Sequence, residues 1–324
     1  MKILVTGGAG YIGSTLVPIL LSSGHHVRVL DNLSYGGKAL LGVWSDPKFE
    51  FHRGDVRNDG MVRAALKDTE VVIHFAAIVG DPACARQPDE ARSINLDATI
   101  QLFNLSREMG VKRFVFASTC SNYGKMKNSN EYANETSELR PVSLYAETKV
   151  AVEKYLLDPS QSGSMIPTVL RFATVYGVSP RMRFDLTVNE FTMEILTNRK
   201  LVIFGEQFWR PYVHIRDIAK AILNILASPV EKIQNQVFNV GSTNQNFQKQ
   251  QLADLIRSHV PDAVVEYVRK DEDPRDYRVS FEKIKQELGF NAEYTVEDGI
   301  REVADLVQSG IISDYRNLEY RNVP

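Results

Sequence analysis

Short apolar runs alternate with longer amphipathic stretches through the first half of the chain, the pattern of strands interleaved with helices. Residues 2–6, 26–30, 49–53, 71–75, 113–117 and 168–172 read as strands. Helical spacing fills the gaps at 14–21, from about 58, over 88–109 and from 144. Strand-helix units in this succession predict an α/β protein with a doubly wound parallel sheet, buried on both faces. Beyond 172 the alternation loosens: a helix over 186–197, a strand at 212–215 running into a helix at 216–226, and a short strand at 238–240. A helix at 251–259, a strand at 264–268 and amphipathic closing helices near 281–288 and 296–307 follow. This half predicts a smaller α/β substrate-binding domain. The division expected is 1–172 for the large domain, with 211–230 packed back on it, and 173–210 plus 231–324 for the smaller one. From Ser309 the chain turns polar and is expected to end as a loosely held tail.

The first strand runs into Gly7-Gly8-Ala9-Gly10-Tyr11-Ile12-Gly13 and then a helix, a strand-turn-helix context that predicts a Rossmann dinucleotide site. Gly7 permits the tight turn, Gly10 lets backbone approach a pyrophosphate, and Gly13 allows close helix packing, while the helix N-terminus supplies N–H groups and a positive dipole. The spacing is G-x-x-G-x-x-G. Tyr11 and Ile12 sit within the same turn and join the candidate cofactor contacts.

The second strand ends on Asp31, placed to accept hydrogen bonds from ribose hydroxyls, with Asn32 beside it. A carboxylate there repels a 2′-phosphate, so NAD is expected in preference to NADP. After the third strand come Asp55 and Val56, and Asp55 is read either as a helix cap or as an acceptor for the adenine amino group. Ala76 and Ala77 follow the fourth strand and are small enough for a cofactor to lie against the backbone. The Gly- and Pro-containing loop 78–88 is expected to wall the site or simply to connect. Asn95 on the next helix is a candidate cofactor contact or a satisfied internal amide.

Hydroxyl side chains crowd the end of the fifth strand in Ser118-Thr119-Cys120-Ser121-Asn122-Tyr123-Gly124. On the following helix Tyr145 and Lys149 lie four apart, on one face. A free phenol has a pKa of about 10, and a neighbouring cation favours the phenolate; a depression of about two to four units would make Tyr145 a base near neutral pH. A strand-end hydroxyl and a helix phenol can converge on one substrate oxygen. Farther on, Thr174, Arg181, Arg183, Asn189, Arg210 and Arg275 are candidate substrate contacts. Arginine's planar fork suits a diphosphate, although each of these is equally readable as a surface charge.

Composition then narrows the class. The 324 residues, 44% hydrophobic, supply a full core, and 38 basic against 40 acidic residues leave a net charge of -2 without a concentrated basic run. Neither nucleic acid nor membrane is an expected partner. The longest apolar run, 71–79, is too short to span a bilayer, and no signal-like segment leads the chain, so a cytoplasmic location is expected. Cys84 and Cys120 read as reduced, and the six histidines lack metal-ligand spacing, so no metal is expected.

The motifs GGAGYIG, Asp31, HFAA, STCSNYG, YAETK and RPYVHIRD occur in order, and together they resemble the extended short-chain dehydrogenase/reductases that act on nucleotide sugars. The resemblance covers essentially the whole chain. It implies that Thr119, Tyr145 and Lys149 are catalytic; that Gly7, Gly10, Gly13, Asp31, Asp55 and Val56 hold NAD; and that Arg210, and less directly Arg275, hold the substrate diphosphate. Thr174 stands where many relatives have asparagine. The 4,6-dehydratases of that family carry Asp-Glu after the catalytic threonine, where this chain has Cys120 and Ser121. The segments VGDPACARQP, RFATVYGVSPRMRFDLTVNEFT and DPRDYRVS look most like a branch containing GDP-heptose 4-dehydrogenases. The expected activity is therefore NAD-dependent oxidation at C4 of a nucleotide-linked sugar, with a 4-epimerase as the alternative, and a 4,6-dehydratase or a non-catalytic dinucleotide sensor behind it. The resemblance also implies a homodimer through the helices containing Asn95 and Tyr145.

Overall fold

The computed structural model describes residues 1–126, 131–270 and 275–322. Its strands are β1 (Lys2–Thr6), β2 (His26–Asp31), β3 (Phe49–Arg53), β4 (Val71–His74), β5 (Arg113–Thr119), β6 (Ile166–Phe172), β7 (Thr174–Tyr176), β8 (Lys200–Phe204), β9 (Trp209–His214), β10 (Gln236–Val240), β11 (Asn246–Gln248) and β12 (Val264–Val268). Seven of them form one parallel sheet in the order β3-β2-β1-β4-β5-β6-β10. The smaller half carries β11-β9-β7 and the pair β12-β8.

Side chains of successive strand residues point to opposite faces, which explains why the central strands read as unbroken apolar runs. Ile3 and Val5 enter the core beneath the helices Tyr11–Ser22 and Ile215–Ala227, with Leu16, Leu20, Ile218 and Ile222. Leu4 faces the other layer with Val62, Leu102, Phe103 and Val152, from the helices Asp59–Leu66, Ala98–Glu108 and Leu144–Leu156. The same division separates Val71 and Ile73 from Val72. A separate core of Tyr176, Val188, Ile195, Leu252, Ile256 and Ile300 holds the smaller half.

The strand order reverses between β1 and β4, so the loops at their carboxyl ends diverge and leave a crevice. Four local expectations change. The stretch 88–109 is a helix interrupted by a π-helical turn, Ser93–Asp97. Asn58, not Asp55, caps the helix Asp59–Leu66, accepting from Met61 N at 3.0 Å. Gln236–Val240, assigned from its pattern to the smaller domain, pairs with β6 as the edge of the large sheet. The segment after Ser309 is not loose, because Tyr315 and Tyr320 pack edge-on against Phe184, whose N–H donates to Tyr320 O at 2.9 Å. Part of the charged run 269–278, residues 271–274, lies outside the described residues.

Candidate active site

A cleft of about 730 Å³ opens at the carboxyl ends of the large sheet, between it and the smaller half. The glycine turn forms one end. Gly7 has φ +71°, and a Cβ there would lie 2.7 Å from Ala76 N; a Cβ on Gly13 would lie 2.4 Å from Gly7 O. Both glycines are therefore required by close backbone approach. Gly10 precedes the helix Tyr11–Ser22 without any side-chain cap, leaving the first N–H groups of that helix available to an anion.

At the end of β2, the Asp31 carboxylate accepts from Ala9 N at 2.9 Å and Leu33 N at 2.8 Å, which fixes its orientation at the cleft wall. A carboxylate offers about four acceptor positions, so capacity remains for ribose hydroxyls. Asn32, Asp55, Val56, Ala76 and Ala77 also line the cleft, as do Tyr11 and Ile12. Asp55 is held by Arg57, whose guanidinium keeps the carboxyl below its ordinary range.

Asn95 does not line the cleft. It is buried in the π-helical turn, where its Oδ1 accepts from Ile78 N and its Nδ2 donates to Ile78 O, both at 2.8 Å. The amide thus holds the wall loop through the backbone of Ile78. Beneath that loop His74 bridges two elements, with Nδ1 2.6 Å from Thr6 Oγ1 and Nε2 2.9 Å from Thr99 Oγ1. Burial pushes its pKa down to about 3.

The hydroxyls at the end of β5, Ser118, Thr119 and Ser121, all border the cleft but find different partners. Thr119 and Ser121 line the cleft, and Thr119 Oγ1 accepts from Ser121 N at 3.1 Å. Ser118 donates to buried Glu153, which pairs with Arg171 at 2.6 Å. Cys120 turns into the core, its thiol donating to Arg171 O. No carboxylate therefore follows Thr119 into the cleft.

Ser143 caps the helix Leu144–Leu156 through Ala146 N and donates to Asp81 at 2.6 Å. The helix brings half-buried Tyr145 and buried Lys149 to the cleft beside Thr119. Lys149 Nζ donates to Ala117 O at 2.7 Å and lies 5.9 Å from the Tyr145 ring centroid. Burial pulls Lys149 down to about 8 and pushes Tyr145 above its ordinary value, with Cys84 and Asp81 adding to the rise. Desolvation dominates the Tyr145 phenol here, and the Lys149 ammonium is directed at a backbone carbonyl.

Thr174, Arg181, Arg183, Arg210 and Arg275 line the opposite wall. Asn189 does not; it is fully buried, accepting from Gly177 N at 3.0 Å and donating to Tyr11 Oη at 3.1 Å. It therefore braces the glycine turn against the smaller half. Arg183 pairs with Asp185 at 2.8 Å, Arg275 with Asp81 at 3.0 Å, and Arg210 lies 5.5 Å from the Tyr277 ring centroid. Residues not singled out from the sequence also line the wall: Tyr35, Lys249, Arg321 and Asn322, together with Thr187 and Tyr277, which lie inside the segments RFATVYGVSPRMRFDLTVNEFT and DPRDYRVS.

An uncapped helix N-terminus behind a glycine turn, an acid at the end of the second strand and a tyrosine-lysine pair across a switch-point crevice define a dinucleotide-dependent enzyme of the short-chain dehydrogenase type. The chain belongs to the NAD dependent epimerase/dehydratase family, whose pattern it matches over residues 3–241, and NAD is its cofactor. It is 31% identical over 314 residues to the UDP-glucose 4-epimerase of Corynebacterium glutamicum, covering 91% of this chain and 92% of that one. The structure of the Thermus thermophilus UDP-glucose 4-epimerase in complex with NAD aligns with a TM-score of 0.83 at 28% identity, covering 96% of this chain and all of that one. The dTDP-glucose 4,6-dehydratase of Streptomyces venezuelae, with NAD and TYD bound, aligns with a TM-score of 0.84 at 26% identity, covering 96% and 98%. Among the described residues no helix is long and apolar enough to cross a membrane, and no cluster of His, Cys, Asp or Glu could hold a metal.

Proposed function

We propose that the protein is a nucleotide-sugar 4-epimerase acting on a UDP-hexose. The observation that carries this reading is the meeting of Thr119, Tyr145 and Lys149 in one cleft with the glycine turn and Asp31. Bound NAD supplies a reversible hydride acceptor for C4 of the sugar. Tyr145 takes the C4 hydroxyl proton and later returns it. Thr119 holds the same oxygen by hydrogen bonding, and Lys149 supplies the positive charge that favours the Tyr145 phenolate once ligands reorganise the cleft. Arg210 and Arg275 hold the substrate diphosphate through charge-assisted bonds.

Two outcomes share the first step. Release of the ketone would make a 4-dehydrogenase, which the motif combination implied for a GDP-heptose; retention and turning of the ketone before hydride returns makes an epimerase. Relatives named as UDP-glucose 4-epimerases support the second. A 4,6-dehydration lacks support because Cys120 is buried and Ser121 carries no carboxylate. We further propose a homodimer through the helices containing Asn95 and Tyr145, and a cytoplasmic location.

The test is incubation with UDP-, GDP-, CDP- and dTDP-sugars, following NADH absorbance and product identity. The expected result is a C4 epimer of a UDP-hexose without net NADH. Accumulating NADH would move the assignment to a 4-dehydrogenase, and absence of turnover with NAD bound equally by Tyr145→Phe would leave a sensor. A size measurement in solution checks the dimer.

A further inference from the structure

The segment 310–322 folds back across the molecule and ends in the cleft. Lys38, at the start of the 3-10 helix Lys38–Val43 that follows β2, pairs with Glu319 at 3.4 Å; Phe184 N donates to Tyr320 O; and Asn322 N donates to Asp185 Oδ2 at 2.9 Å. Arg181 Nη2 donates to Arg321 O at 3.1 Å. These bonds place Arg321 and Asn322 on the cleft wall beside Arg181.

What remains around that group is a set of polar atoms without partners. Arg181 Nε, Arg321 Nε and Asn322 Oδ1 are buried and make no hydrogen bond among the described residues. Arg181 is 5% exposed, so its charge is largely desolvated. Its guanidinium stacks 4.3 Å from the centroid of Tyr35, and its backbone N donates to Ser14 Oγ. Ser14 lies in the first turn of the helix that follows the glycine turn. A buried guanidinium N–H without a partner costs stability unless an acceptor completes it, and the guanidinium forks of Arg181 and Arg321 match the charged non-bridging oxygens of a diphosphate; Asn322, whose orphan Oδ1 is an acceptor, would join through its amide NH2.

We infer that Arg321 and Asn322, carried into the cleft by the folded-back segment 310–322, are ligand contacts for a diphosphate group. The segment is a strap between the loop after the ribose-directed acid and the 181–187 wall. Two diphosphates reach this cleft, the cofactor's pyrophosphate and, if the nucleotide-sugar reading holds, the substrate's. The adjacency to Ser14 and Tyr35 favours the cofactor's.

The test measures binding, separately from turnover, with NAD alone and UDP alone as calorimetric probes. In Arg321→Gln the NAD Kd should rise about tenfold or more, as expected for loss of a charge-assisted bond, with UDP affinity within about twofold of the parent. Asn322→Ala should shift the same ligand more weakly, and Arg321→Lys should fall between parent and Gln. A rise confined to UDP would keep the diphosphate site and assign it to the substrate. If both Kd values stay within about twofold in folded Arg321→Gln and Asn322→Ala, the inference is overturned; should Arg321→Gln not fold, Arg321→Lys and Asn322→Ala decide it by the same criterion. Failure of epimerisation with these shifts intact would sink the proposed activity and leave the strap standing.

Discussion

Asp81 Oδ2 lies 3.0 Å from Arg275 Nη1, joining the start of the short helix Asp81–Arg86 after β4 to the smaller half across the cleft. The same carboxylate accepts from Ser143, the cap of the helix that bears Tyr145. A ligand diphosphate would compete with Asp81 for Arg275.

Replacing Asp81 by Asn removes that competition. UDP binding should strengthen by about twofold to tenfold, while stability changes by no more than about 1 kcal/mol because the pair is partly exposed. Titration calorimetry and urea unfolding separate the two effects; weaker UDP binding would contradict the competition.

Tyr145→Phe removes the proton carrier without opening a cavity. A loss of about 10²- to 10⁴-fold in kcat is expected, with NAD affinity within a few fold of the parent. Thr119→Val should lower kcat less steeply. Full activity in Tyr145→Phe would remove the phenol from the mechanism.

Gly13→Ala places a methyl 2.4 Å from the Gly7 carbonyl oxygen, and no flexible side chain can yield there. The turn must shift, at a cost of roughly 1–3 kcal/mol or more. Unfolding midpoints and NAD affinity should fall together. A mutant with both unchanged would show that the turn tolerates the displacement.

His74 makes stability sensitive to acid. Its folded pKa of about 3 lies below the unfolded value of 6.5, so between those limits the unfolded chain binds the extra proton and stability falls as pH falls. Above pH 6.5 both states are neutral and the contribution is flat. From about pH 7 to about pH 5 the loss is about 2 kcal/mol from this residue. Denaturant titrations of the parent and His74→Gln should show a shallower acid slope in the variant.

The parts of the site that lie at a strand end or at fixed helical spacing were legible in the sequence. Gly7, Gly10, Gly13, Asp31, Thr119, Tyr145 and Lys149 all reach one cleft because short local geometry dictates where they point. Asn95 and Asn189 were harder, since an amide on a helix can face a ligand or a nearby backbone, and only the tertiary fold places Ile78 and Gly177 within its reach. Spacing reveals the Lys149 charge beside Tyr145 but not the desolvation of the phenol, which depends on the tertiary fold. The tail was missed because polar composition hides Tyr315 and Tyr320, whose partner Phe184 lies far earlier in the chain.

The edge position of β10 also bears on how ligands enter. The chain leaves the large sheet after Phe172, returns after His214 with the helix Ile215–Ala227, and leaves again after Val240. A cleft between lobes joined by one connector can open like a book. Here several crossings must bend together, so whole-lobe swinging is mechanically stiff, and passage of a ligand falls to the rim: the wall loop after β4, the Arg275 contact and the strap.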